Sequence, residues 1–197
     1  MNKWVVFVGG IVVGLLAIAG WRLVSYHSLA VHYHANFAVY VTGQREPFTA
    51  DSYYEGTTHC YADEASEPAE RAHMHNHVSD LVHVHAAAIT WGQFFANLGW
   101  AIGPTYLQTR DKLLVADSAH HLTYLLNGQA VANPSELVIK SLDKLLVSYG
   151  TARGAQLQTQ FQSISDSAQQ ANTSPDPATC GGAAQPDWQV RLQHIFE

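Results

Sequence analysis

Five of the thirteen residues from His73 to His85 (HMHNHVSDLVHVH) are histidine, and the segment 31–41 upstream reads VHYHANFAVYV. Imidazole titrates nearest to neutral pH. It is also the nitrogen ligand that zinc takes at about 2.0–2.1 Å and that suits copper, iron and nickel. Residues two apart on a strand face the same way, so His32 with His34, and His83 with His85, each set two imidazoles about 7 Å apart on one surface. If the two strands pair, cross-strand neighbours about 4.5–5.5 Å apart bring the four rings together. We expect these four histidines to hold a transition metal. His73, His75 and His77 form a mobile third arm, from which His75 and His77 serve as additional or exchangeable ligands. There is no cysteine pair in motif spacing and no methionine cluster, which disfavours Cu(I) and leaves zinc or copper(II) as the expected ion. The competing reading is a solvated histidine face that charges below about pH 6.5 and meets a partner without metal.

The elements that must position these residues follow from periodicity. Val31 to Val41 alternates as a strand, with His32, His34, Asn36, Ala38 and Tyr40 on one face and Tyr33, Ala35, Phe37, Val39 and Val41 on the apolar one. Leu81 to Ala88 does the same, with Leu81, His83 and His85 opposite Val82, Val84 and Ala86. Both histidine faces therefore point away from the main core. Thr90 reads as an N-cap, Trp91, Phe94, Phe95 and Leu98 recur at helical spacing, and Gly99 stops the helix that covers the sheet. A weak strand over 46–55 and a loop over 56–71 precede the second arm. Further strands are expected at 112–116, 122–126 and 144–149, with Asn127-Gly128 as a hairpin turn and a crossing segment from Pro134. This order predicts an α+β domain with a small mixed sheet and one covering helix, β-grasp-like, over residues 25–150. Beyond it, 151–197 is a Gln/Ser/Ala-rich tail, with an amphipathic helix over 154–171, a loop over 172–186 and a terminal helix over 188–196.

Named metal motifs are not matched. The segment at His73 lacks the Asp-His ending of the H-x-H-x-D-H hydrolases, there is no H-E-x-x-H, and the chain of 197 residues is short for a barrel amidohydrolase. No Glu follows His34 as a cupin would need. An enzyme would require an open coordination position beside a general base. Asp80, Asp51 and Glu55 are nearest in sequence, and they read better as loop carboxylates or partners that orient an imidazole. A metal-dependent enzyme is thus an alternative to metal capture, delivery or structural stabilisation, and no catalytic residue is assigned.

Trp4 to Gly20 contains no charged residue and follows Lys3, with Trp21 and Arg22 beyond it. Such a run sits at the short edge of the roughly 17–25 residues that span a bilayer. Tryptophan at both ends favours an anchor over 1–24, while Ala17-Ile18-Ala19 resembles a signal-peptidase site. Either way the remainder is exported, and we expect a single-pass membrane protein with its C-terminal domain extracytoplasmic. Outside the cytoplasm Cys60 and Cys180 are candidates for a disulfide, with Cys60 beside His59 as a less favoured metal thiolate. Ten basic against sixteen acidic residues give a net charge of -6, with no basic stripe for nucleic acid. The expected partners are the membrane and a protein that exchanges metal.

Together His32-x-His34-Ala35, Met74-His75-x-His77, His83-Val84-His85, Thr90-x-Gly92-x-Phe94-Phe95 with Gly99, Asn127-Gly128 and Tyr149-Gly150 resemble an uncharacterised family of secreted or membrane-anchored prokaryotic proteins. Its motifs are an H-x-H-A strand, an H-T-H-D segment, an I-H-V-E strand and a T-L-G-x-F-F helix. The resemblance covers residues 31–150 and implies a metal-site module, with no substrate. Val78 and His85 stand where the family pattern has Asp and Glu, so an imidazole replaces one carboxylate.

Overall fold

An apolar run with no internal charge forms one uninterrupted helix, α1, Lys3–Ser25. At 1.5 Å per residue its 23 residues extend about 35 Å, against about 30 Å of hydrocarbon. It is the one described helix long and apolar enough to cross a membrane, and none of its residues is buried. The computed structural model describes residues 3–25, 30–54, 68–173 and 192. Helix α1 belongs to one compact unit and residues 30–173 to another.

The second unit is α+β, as expected, and is built on a mixed sheet of seven strands. Its long member is β1, Ala30–Val41, which carries the short β2, Gln44–Arg45, at its far end. After the short helix α2, Pro68–Arg71, come β3, Ala72–His73, and β4, Leu81–Ala86. The helix α3, Trp91–Asn97, then crosses the sheet. The later strands of this sheet are β8, His121–Leu126, β9, Gln129–Val131, and β10, Lys144–Gly150. The order across the sheet is β3-β4-β1-β10-β8-β9. Strands β1 and β10 run parallel at its centre, with β4 and β8 antiparallel outside them. Between α3 and β8, three short strands, β5 (Ala101–Ile102), β6 (Tyr106–Gln108) and β7 (Leu113–Val115), form a separate small sheet.

The alternation of β1 fixes which face meets the core. Ala35, Phe37 and Val39 are fully buried in the core cluster that also holds Trp91, Phe94 and Phe95 of α3. The Phe37 ring meets Phe94 at 5.0 Å and Phe95 at 5.8 Å between centroids, both edge-on. Helix α3 starts where Thr90 and Gln93 exchange hydrogen bonds: the Gln93 N–H donates to Thr90 Oγ1 (3.2 Å) and the Thr90 N–H to Gln93 Oε1 (2.9 Å). It ends at Gly99, whose φ of +74° suits a residue without a Cβ. The hairpin β8–β9 turns on Asn127-Gly128, both with positive φ, as a two-residue loop requires.

The opposite face, which carries the histidines, is covered too. Helices α4, Ala155–Gln162, and α5, Ser167–Thr173, fold back over it. Ile164, between them, packs with Ala38, Leu125 and Leu146 in a second cluster, joined by Leu157 and Phe161. The single helix expected over 154–171 is thus two, broken at 163–166, where Ser165 and Ser167 hydroxyls bind Asn36 Nδ2 (3.1 and 2.8 Å). Other differences are local. The weak strand expected over 46–55 does not form among the described residues 46–54: the two-residue β2 ends at Arg45, and a 3-10 turn follows at Asp51–Tyr53. Residues 68–71 of the expected loop are helical. Glu55, His59, Cys60 and Cys180, with the disulfide expectation and most of the two C-terminal segments, lie outside the described residues.

Candidate metal centre

Three neighbouring strands deliver histidines to one face. In the register of β1, β4 and β3, His34 lies directly opposite His83, and His83 directly opposite His73. A single rung of the sheet thus carries three imidazoles. The second member of each His-x-His arm lies one step along its strand: His32, His85 and His75. His32 sits where the β1–β4 register shifts, between Tyr33 and Ala30, and a shift of this kind re-aims a side chain. Its ring stacks on His85, centroids 4.7 Å apart and planes 18° from parallel.

The arm at 73–77 starts in the edge strand β3, where Ala72 pairs with Val84 and His73 with His83, and a bridge joins Met74 to Tyr54. Met74 points into the core, so His73 and His75 point to the histidine face. The alternation stops there. Asn76 and His77 both have φ of +55°, and the Val78 N–H donates to the His75 carbonyl (3.2 Å), closing a turn. The turn carries His77 away from the others. Its side chain is 66% exposed, its ring lies 4.6 Å from that of Tyr54, and its Nε2 is 4.0 Å from Asp51 Oδ1. Of the six expected ligands, His32, His34, His75, His83 and His85 are brought together and His77 is not. His73, which the ligand assignment passed over, takes its place, and the alternation His73-x-His75 was the signal for it.

Far from lying on a wet surface, these histidines are largely enclosed. His34 and His75 are 2% exposed, and His73 and His83 are 5% exposed. His85 is half-buried and His32 exposed. The ordered tail supplies the cover on the β1 side. Asn172 of α5 accepts two hydrogen bonds at its Oδ1, from the backbone N–H of His34 (2.9 Å) and from His34 Nδ1 (2.7 Å). Its Nδ2 donates to Ser141 Oγ (2.9 Å).

These contacts settle a tautomer. A backbone N–H can only donate, so the Asn172 atom facing it is the oxygen, and His34 Nδ1 must carry a proton to approach that same oxygen. His34 Nε2 therefore presents its lone pair. His73 Nδ1 likewise faces a carbonyl, that of Ala69 (3.0 Å), and leaves the His73 Nε2 lone pair inward. An imidazole that donates through one nitrogen to an oxygen acceptor, and so keeps its lone pair on the other, has the tautomer usual in a metal-ligating histidine.

At the centre, His34 Nε2 is 2.9 Å and His75 Nε2 3.0 Å from His83 Nδ1. One proton on His83 Nδ1 cannot align with both neighbours at once, whereas a cation accepts a lone pair from all three. Tetrahedral bonds of about 2.0–2.1 Å place donors about 3.3–3.4 Å apart, so each of these two separations would open by a few tenths of an ångström around an ion. Burial lowers the His83 pKa far below the ordinary histidine value, and the imidazoles of His75, His34, His73 and His85 lower it further. His83 is thus neutral at physiological pH, as a ligand must be. A second grouping, His32, His83 and His85, has one ligand atom from each residue within 4.8 Å of the others.

The carboxylates considered as bases are engaged elsewhere. Asp80 pairs with Arg45 (3.1 Å) and Asp51 faces His77. The sequence carried no signal for Asn172, which lies 138 residues from His34 and was read as the start of a loop. Comparisons with protein-family models, with curated proteins and with solved structures found no match.

Proposed function

We propose that this chain is a membrane-anchored, extracytoplasmic domain that binds one transition-metal ion, zinc or copper(II), through His34, His75 and His83, for capture, delivery or structural stabilisation. The observation that carries this reading is the convergence of His34 Nε2 and His75 Nε2 on His83 Nδ1, with the His34 lone pair fixed inward by Asn172. Three protein nitrogens leave a fourth position for a further imidazole, a water or a partner's ligand. The apolar helix α1 supports the anchor, and its flanking charges the outward orientation of the domain. The parallel central pair β1–β10 with antiparallel neighbours supports the β-grasp-like description.

Thermal unfolding of the full chain in detergent tests the reading. Stripping with a chelator should lower the midpoint, and added zinc should restore it, since a ligand at one hundred times its Kd contributes about 2.7 kcal/mol to the native state. Superimposable curves with and without metal would leave the histidines as a buried polar face and remove the proposal.

A further inference from the structure

The histidine face is graded. His32 is exposed, His85 half-buried, His83 5% exposed, and His34 and His75 are 2% exposed. His83 belongs to two groups at once: its Nδ1 touches His34 and His75, and it also forms a group with His32 and His85 whose ligand atoms lie within 4.8 Å of one another. One ion cannot use all five rings, because zinc sites of this kind take four ligands. Donors on one ion also lie no further apart than twice the bond length, about 4.2 Å. His34 Nε2 and His75 Nε2, at 2.9 and 3.0 Å from His83 Nδ1, each fall inside that limit of His83, and the outer donors lie within 4.8 Å of one another. Stacked side by side at 4.7 Å, the His32 and His85 rings form the part of the face nearest solvent.

We propose that His32 and His85 form a loading station for the buried triad: an incoming Zn(II) or Cu(II) ion binds first to this outer pair with His83, and then exchanges His32 and His85 for His34 and His75 while His83 stays bound. The inference rests on the metal-binding reading above. Ligand exchange through a shared residue lets the ion shed water stepwise, so that it never enters a buried site bare. No electrons move, and each nitrogen that leaves the ion is replaced by another. A station on the path that takes no part in the final complex changes both rates and leaves their ratio alone.

The test is stopped-flow transfer of Zn(II) between a chromophoric chelator and the metal-free full chain in detergent, for wild type and for the His32→Ala/His85→Ala variant. The single His32→Ala serves as a second, solvent-exposed substitution that spares the fold. The expected result is unchanged stoichiometry and a Kd within threefold of wild type, with association and dissociation both slowed at least tenfold in the double variant and severalfold in the single one. Unchanged rates would overturn the loading station, and so would loss of binding, which would make the outer pair the site itself. In either case wild type still binds zinc. If wild type takes up no zinc, the metal-binding reading falls first.

Discussion

Asn172 is the residue through which the account is most exposed to test. Its Oδ1 holds the His34 ring through Nδ1 at 2.7 Å and the His34 backbone N–H at 2.9 Å. In Asn172→Ala the one acceptor of both hydrogen bonds vanishes. The His34 imidazole is then free to rotate or to take its proton on Nε2, the atom that faces His83. Loss of a partner that orients a ligating histidine costs about 10–100-fold in metal affinity, or about 1.4–2.7 kcal/mol. Apo stability should fall as well, because a buried N–H left without its acceptor costs about 1–3 kcal/mol. Asn172→Asp keeps an oxygen toward His34, adds a negative charge beside that ring and loses the donor to Ser141. Competition of the full-length protein with a chromophoric chelator for zinc would measure all three proteins. We expect the alanine variant to be weakened 10–100-fold and the aspartate variant to lie within about threefold of wild type. Equal affinities for wild type and Asn172→Ala would refute the tautomer argument. An aspartate variant as weak as the alanine would show that the donor to Ser141 matters instead.

Three further outcomes follow from the same geometry. The His83 pKa is depressed in the native state, so the unfolded chain binds its proton first on acidification and stability is lost below about pH 6.5. Between pH 7.5 and 5.5 this one group should cost the metal-free protein about 1.4 kcal/mol, measured by urea unfolding, and His83→Gln should flatten that part of the slope. His77→Ala should leave zinc affinity within about twofold, well under the 1.4 kcal/mol of a tenfold change, because its side chain is 66% exposed beside Asp51; a tenfold loss would place His77 in the site. Ile164→Ala should lower stability by about 2–5 kcal/mol, since Ile164 is 3% exposed against Ala38, Leu125 and Leu146. The same change should loosen the cover over the histidines and weaken zinc binding in the chelator assay.

Strands with a clear period of two were legible in the sequence, and so was the capped helix at Thr90. Their inward residues are the core, and the His-x-His spacing on 32–34 and 83–85 located the heart of the site. What was not legible has physical causes. Strands of two or three residues, such as Ala101–Ile102 and Tyr106–Gln108, are too short to show a period, so the small sheet was missed apart from 112–116. The pair Asn76-His77 takes up positive φ without a glycine to announce it, and the histidine alternation therefore reads one step too far. The helical spacing of Leu157, Phe161, Ile164 and Ala168 showed a helix over 154–171 but not its break at 163–166 or the face it covers. Those four suffice to lay two helices across a face that alternation alone marked as wet. Burial then changes the chemistry, because shielding from water holds the His83 imidazole well below the ordinary histidine pKa.

Metal content of the full chain, purified in detergent through a tag without histidine, tests the central claim most directly when set beside the His34→Ala/His83→Ala variant prepared in parallel. The account predicts about one equivalent of zinc or copper in wild type, lost in the variant while the α+β circular dichroism is retained. Mixed metals well below one equivalent, unchanged by the two substitutions, would contradict it.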